Sequence, residues 1–329
     1  MIRYNTLVVL AGITVLGGSA GLVGCLAVLR RRALTGDALA HAALPGVCLA
    51  FIVLDSLLST PAGRGGLARL GIHDARNLPA LLCGALVSGL VGIGVISILQ
   101  RWTRIKEDAA IGIVLSVFFS GGIALSRLIQ NESTTGSKAG LDSYFLGKTS
   151  GMIAQDVWLI AAVALLNMLV VVVFYKELRL ALFDAEFASA QGWPVLGLDL
   201  LLMGLVAVTV VIGLPAVGVV LMAALLILPG TAARFWTQRF ERLLWLSGGI
   251  GAATGLIGAM LSARYSGLPT GPIVVLVGTA GFLVSLLAAP RRGVLAQWRQ
   301  RRRFRRELAE LRRTGGDPST VAAWQEGAA

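Results

Sequence analysis

Long apolar runs separated by short polar clusters set the pattern of the chain. They predict helices over 7–29, 33–58, 78–99, 109–128, 157–174, 195–213, 216–233, 243–262 and 272–289. A helix rises about 1.5 Å per residue, so about 20 apolar residues cross a hydrocarbon core about 30 Å thick. Several runs are short or broken by Gly and Pro. The pattern therefore predicts an all-α fold, a polytopic transmembrane helical bundle of eight to ten spans, with nine preferred.

The second run departs from plain hydrophobicity. It follows Arg30, Arg31 and Arg32 and reads RRRALTGDALAHAALPGVCLAF over Arg30 to Phe51, with Asp37 and His41 four residues apart. Helical geometry stacks such a pair on one face, one turn apart. An ionisable pair in lipid is costly, and usually borders a bundle interior or a wet path for an ion or proton. The competing readings are a satisfied structural pair, or an Asp capping the helix start. If Arg32 marks the membrane boundary, His41 lies roughly 13 Å inside, deeper than a cap would sit.

Between the other runs, the polar segments carry less chemistry. Ser59 to Asn77 holds His73 and Asp74, and reads most simply as a solvated loop. Lys106, Glu107 and Asp108 precede the fourth run, where carboxylates favour a helix start. Gln130 to Gly151 is polar and rich in Gly and Ser, either an ordinary loop or a docking surface. Lys176 to Pro194, KELRLALFDAEFASAQGWP, reads as a short helix with marked ends. Asp184 is its N-cap, Phe183 and Phe187 give it an apolar side, and Gly192 and Pro194 stop it. Such a helix suits either a handle for a soluble partner or a rest on lipid headgroups.

Further along, Leu214-Pro215 and Leu228-Pro229 bracket the run VGVVLMAALLI. Proline removes an amide donor, and the carbonyls so freed are tolerated at membrane depth only in a protein interior or beside a wet cavity. Gly251 and Gly255 have the spacing of a close helix contact. After Pro290 the chain turns basic, with Trp298, Phe304, Leu308 and Leu311 near helical spacing, and this suggests an amphipathic helix on anionic lipid. The organisation is thus a transmembrane domain over 1–289 and a basic cytoplasmic tail over 290–329, ending in an irregular segment from Thr314.

Composition agrees with the pattern. The 329 residues are 56% hydrophobic and 14% charged, with a mean hydropathy of +0.80, far too apolar for a soluble domain. The net charge of +12 does not point to nucleic acid, because the basic residues sit in short clusters between spans and in one tail. Most of the 29 lysines and arginines fall on one side if the N-terminus is outside and the C-terminus cytoplasmic. Cys25, Cys48 and Cys83 lie in apolar runs without metal or redox spacing, which predicts buried bystanders. Apolar sequence continues past Cys25 to a positive stop, so the first run reads as a span and not a removed signal.

The Arg30–Phe51 stretch resembles the membrane-spanning permease of bacterial ABC transporters that import zinc, manganese or iron(II). The likeness continues through KEDAAIGIVLSVFFSGGIAL, LDSYFLGKTSG, KELRLALFDAEFASAQG, VGVVLMAALLILPGTAAR and LPTGPIVVLV. It implies a permease dimer, identical or paired with a related chain, in the bacterial inner membrane. It also implies cytoplasmic ABC ATPases and an extracytoplasmic metal-binding protein as partners. Residue by residue, Asp37 and His41 correspond to the family's DALxH pair and would contact the metal in transit. Phe183, Asp184, Glu186, Phe187, Ala190 and Gly192 fall in the segment that corresponds to the ATPase-coupling helix. The divalent ion is substrate, and no cofactor of the chain itself is implied.

No GxxxxGK[ST] phosphate loop occurs, so ATP hydrolysis is expected on a partner. No cluster of nucleophile, base and orienting group suggests an enzyme. Carboxylate with imidazole suits Zn(II), Mn(II) or Fe(II), whereas copper(I) favours sulfur donors. The alternatives are a siderophore or cobalamin ABC permease, and a proton-coupled secondary metal carrier.

Overall fold

The computed structural model describes residues 4–60, 64–65, 77–132, 147, 149–265, 268–290, 293–296 and 298. Among them the principal helices are α1 Tyr4–Leu29, α2 Thr35–Ser59, α3 Leu78–Trp102, α4 Glu107–Glu132, α5 Ala154–Val173, α6 Tyr175–Phe183, α7 Ala185–Ala190, α8 Val195–Val217, α9 Val219–Trp236, α10 Phe240–Arg264 and α11 Thr270–Ala288. All but α6 and α7 are long and apolar enough to cross a membrane, which gives the nine spans the hydrophobic pattern favours.

α1 is the spine of the bundle. It packs on α10, α9, α5 and α8. Its buried residues, from Leu10 to Val28, lie around much of its circumference, as a helix surrounded by others requires. Backbones approach closely there: a Cβ added to Gly251 would stand 2.1 Å from the Gly17 carbonyl oxygen. The close contact expected at Gly251 and Gly255 is therefore made with α1. Ser247 reinforces it by donating from Oγ to the Gly21 carbonyl at 2.6 Å. A buried polar tie crosses the same region, where Asn167 Nδ2 donates to Thr209 Oγ1 at 2.7 Å and to Ser19 Oγ at 3.2 Å, joining α5, α8 and α1.

α2 packs on α3 and α4 beside this spine. Near its start Ala38 joins Ile96, Ala110, Ile111 and Val114 in a small apolar cluster separate from the main core. One end of the bundle gathers the α1–α2 turn and the starts of α4 and α8 around shared ion pairs. At that end α6 and Asp184, where the chain bends into α7, line an open recess with the α9–α10 turn. The other end gathers Asn5 and Thr6 with Ser262 and Thr270, and Leu78 with Asp156 and Pro215.

The short helix expected between an Asp184 N-cap and Gly192 is present as α7, and a further helix, α6, precedes it in the same segment, the two parted at Asp184, whose φ of −145° leaves the helical region. Two expectations are corrected. The break near Pro215 falls instead at Gly218, with φ 82° and ψ 168°, a conformation open essentially to glycine, while Pro215 and Pro229 lie inside α8 and α9. Cys25 and Cys48 are buried, but Cys83 is exposed on α3. His73, Asp74, most of Gln130–Gly151 and nearly all of the basic tail lie outside the described residues.

Candidate metal pathway and the arginine end of the bundle

The turn that leads into the Asp37/His41 helix is tightly closed. The Arg31 amide donates to the Val28 carbonyl at 3.1 Å and the Arg32 amide to the Ala27 carbonyl at 2.9 Å. These are the paired bonds of a Schellman helix end, which places Arg31 in the left-handed region at φ 62°, where glycine is the usual occupant. Three residues later α2 begins. Its N-cap position is Leu34, with no side-chain cap bond, so Asp37 is not the cap.

Asp37 lies in the first turn of α2 and His41 one turn further, and their facing atoms, Oδ1 and Nε2, are 3.6 Å apart. The expected stacking on one face is therefore present. The pair is partly open, with side-chain exposures of 33% for Asp37 and 21% for His41. The ring of Phe119 on α4 meets the imidazole edge to face at a centroid distance of 4.7 Å. On the far side of the imidazole, Nδ1 is buried and has no hydrogen-bond partner. Pro45 lies inside α2 and has no amide to offer the His41 carbonyl four residues earlier.

The arrangement offers a cation one carboxylate and one imidazole. Among the described residues no group of three or more His, Cys, Asp or Glu side chains comes together. Two donors hold an ion weakly, and weakness suits conduction, where an ion must enter and also leave. The remaining positions would fall to water or to a second copy of the chain.

Below the pair lies a cluster that the hydrophobic pattern does not disclose. Arg30 Nε and Arg32 Nη1 hold the two oxygens of Asp199 at 2.8 and 2.7 Å, and Arg32 Nε meets Glu107 at 2.7 Å. Arg30 Nη1 also donates to the Ala181 carbonyl of α6 at 3.0 Å. Read as sequence, Arg30–Arg32 is an orientation signal and Glu107 a helix-start carboxylate. Asp199 was legible as a lone acid within the apolar run 195–213, a position where a charge needs a partner.

On α7, Asp184 Oδ1 accepts from the Phe187 amide at 2.9 Å, as the N-cap reading requires. Gly192, at φ 86°, closes the other end. Phe183 and Phe187 are exposed, at 63% and 50%, and Glu186, Ala190 and Gly192 are exposed with them. The recess beside them, about 800 Å³, is lined by Tyr175, Arg179, Phe183, Asp184, Arg239 and Glu241.

A multi-pass helical bundle with a partly exposed Asp/His pair in one span is the setting expected of a membrane transport component. The profile of the ABC 3 transport family matches residues 3–289, and the chain belongs to that family. It is 42% identical over 311 residues to the manganese transport system membrane protein MntC of Bacillus subtilis strain 168, a match covering 93% of this chain and 67% of that one. It is 41% identical over 300 residues to the zinc transport system membrane protein TroC of Treponema pallidum strain Nichols, covering 91% and 94%. Among solved structures it resembles PsaBC from Streptococcus pneumoniae in complex with Fab. That likeness has a TM-score of 0.72 and 30% identity, and covers 88% of this chain and 94% of that one.

Proposed function

We propose that the chain is the membrane-spanning subunit of an ATP-driven importer of divalent metal ions, manganese or zinc in the first place. The observation that carries this reading is the Asp37/His41 pair, half open on α2 in a chain whose family match covers nearly all its spans. The related manganese and zinc transport proteins support it, and neither alternative class draws support from them.

In this reading the basic clusters orient the bundle with the N-terminus outside and the arginine end in the cytoplasm of a bacterial inner membrane. The ion passes Asp37 and His41 at an axis shared with a second permease subunit, identical or related, which completes its shell. An extracytoplasmic metal-binding protein delivers it. Two cytoplasmic ABC ATPases supply the energy, since the chain has no phosphate loop of its own. They dock on α7 and the edge of α6 through Phe183, Asp184, Glu186, Phe187, Ala190 and Gly192. Closure of the ATPases tilts this element and switches access to the ion from one side to the other.

The test is metal uptake into proteoliposomes holding the permease, its ATPase and its binding protein. Asp37→Ala and His41→Ala variants should lose most manganese and zinc uptake while retaining ATPase binding. Uptake at the unmodified rate in both variants would remove these residues from the path.

A further inference from the structure

Four ionised side chains from three parts of the chain meet at the arginine end: Arg30 and Arg32 in the α1–α2 turn, Glu107 at the start of α4, and Asp199 on α8. Their formal charges sum to zero, so the cluster adds no net charge near the proposed path. Its geometry does something else. Each oxygen of Asp199 takes one arginine, and each arginine has a second partner: Arg30 the Ala181 carbonyl of α6, and Arg32 the Glu107 carboxylate of α4. Hydrogen bonds and ion pairs therefore form a chain running α6, Arg30, Asp199, Arg32, α4, whose last link, Arg32 to Glu107, is a charge contact without hydrogen-bond geometry. Asp199 is its central link, with a side chain only 13% exposed.

Three further features favour a mechanical role over simple gluing. The guanidinium fork is planar and rigid, so it passes a displacement between two partners where a flexible ammonium would absorb it. The turn holding both arginines keeps a non-glycine residue, Arg31, at φ 62°, a strained conformation that lets Arg30 and Arg32 converge on one carboxylate. The chain of bonds also spans two packing units, since Ala110 and Ala38 near the starts of α4 and α2 share the small apolar cluster, while Leu202 and Val206 of α8 lie in the main core.

We propose that Asp199 is a positioning residue that transmits displacement of α6 through the Arg30 and Arg32 pincer to the start of α2, and so to Asp37 and His41. This rests on the reading of α6 and α7 as the ATPase-coupling element. Movement of α6 pulls Arg30 through the Ala181 carbonyl, Asp199 carries the pull to Arg32, and the α1–α2 turn shifts against α4. Asp37 lies five residues beyond Arg32 on the same segment.

Two arms test it. In the reconstituted assembly, Asp199→Asn and Arg30→Lys should leave ATP hydrolysis within twofold of the unmodified rate and lower metal moved per ATP at least tenfold. Arg30→Lys keeps the charge but loses the rigid planar fork that spans Asp199 and Ala181, and Asp199→Glu should retain most coupling. Metal per ATP unchanged in both variants, or hydrolysis and transport falling in parallel, would overturn the proposal. The second arm uses the full-length permease alone and reads amide hydrogen exchange in α6 after Glu107→Gln. Glu107 is linked to Ala181 of α6 through Arg32, Asp199 and Arg30, so exchange across Leu178–Phe183 should quicken at least threefold, and an unchanged rate would overturn the proposal. Failure of the unmodified assembly to accumulate metal would sink the importer reading, and the exchange arm would still decide this one.

Discussion

Oδ1 of Asp37 and Nε2 of His41 stand 3.6 Å apart across one turn of α2. That is too long for a hydrogen bond that would satisfy both groups. It suits two donors sharing an ion, since atoms about 2.1 Å from a metal at a tetrahedral angle lie about 3.4 Å from one another. A route for cations thus needs little rearrangement of this pair.

The two donors differ in hardness, and this gives a prediction about selectivity. Carboxylate oxygen suits manganese, while imidazole nitrogen suits zinc better. Asp37→Asn is expected to depress manganese uptake more than zinc uptake, and His41→Gln to do the reverse. Initial uptake rates of the two ions, measured on the same proteoliposomes, check it. Equal losses for both ions in both variants would mean that neither side chain discriminates.

Phe119 bears on the imidazole from α4 at 4.7 Å. An edge-to-face aromatic pair contributes about 0.5–1.5 kcal/mol beyond its buried area. Phe119→Ala is expected to destabilise the permease modestly and to free the imidazole to rotate, lowering uptake several-fold. Phe119→Tyr should keep both near the unmodified values. Parallel thermal denaturation in detergent and uptake assays separate the ring's effect on His41 from a general loss of fold.

The spine of the bundle gives a stability prediction with an internal control. A Cβ on Gly251 would collide with the Gly17 carbonyl, while one on Gly249 meets nothing within 4 Å. Gly251→Ala is expected to cost about 1–3 kcal/mol through overpacking. Gly249→Ala should be neutral or gain up to about 1 kcal/mol, because alanine favours the helix more than glycine does. The thermal inactivation half-life should therefore shorten for Gly251→Ala and hold or lengthen for Gly249→Ala, and a matching loss in both would contradict the packing described for α1 and α10.

How much of this was legible beforehand depends on the kind of signal. The nine spans follow from hydrophobicity alone, because lipid forces every backbone amide into a helix and leaves the run lengths in plain view. Asp37 and His41 stood out because two ionisable groups in an apolar run are costly, and Asp184 because a cap is a local event. Gly218 was obscured by Pro215, the stronger breaker by type, although the sharp corner needs a positive φ that proline cannot take. Asp199 and Glu107 were missed as partners of Arg30 and Arg32 because pairing across 169 and 75 positions is a tertiary fact that spacing does not carry.

The last prediction concerns α7, which has only six residues and is too short to persist on propensity alone. Its two ends are held locally. Asp184 caps the first turn, while at the other end the Gly192 amide donates to Ser189 and the Trp193 amide to Ala188, with Gly192 at φ 86°. Loss of an N-cap costs about 1 kcal/mol, and alanine at a left-handed helix end costs a similar amount. Asp184→Ala and Gly192→Ala should each loosen α7 while leaving the membrane spans untouched, since Asp184 and Gly192 are exposed and lie outside them. Melting of the bundle is therefore expected to hold within about 1 °C, since surface changes of this kind rarely reach the core. Affinity for the ATPase, measured by titration onto immobilised permease, should fall about fivefold for each variant and further for the two together. Unchanged affinity in the double variant would place the ATPase contact elsewhere on the arginine end.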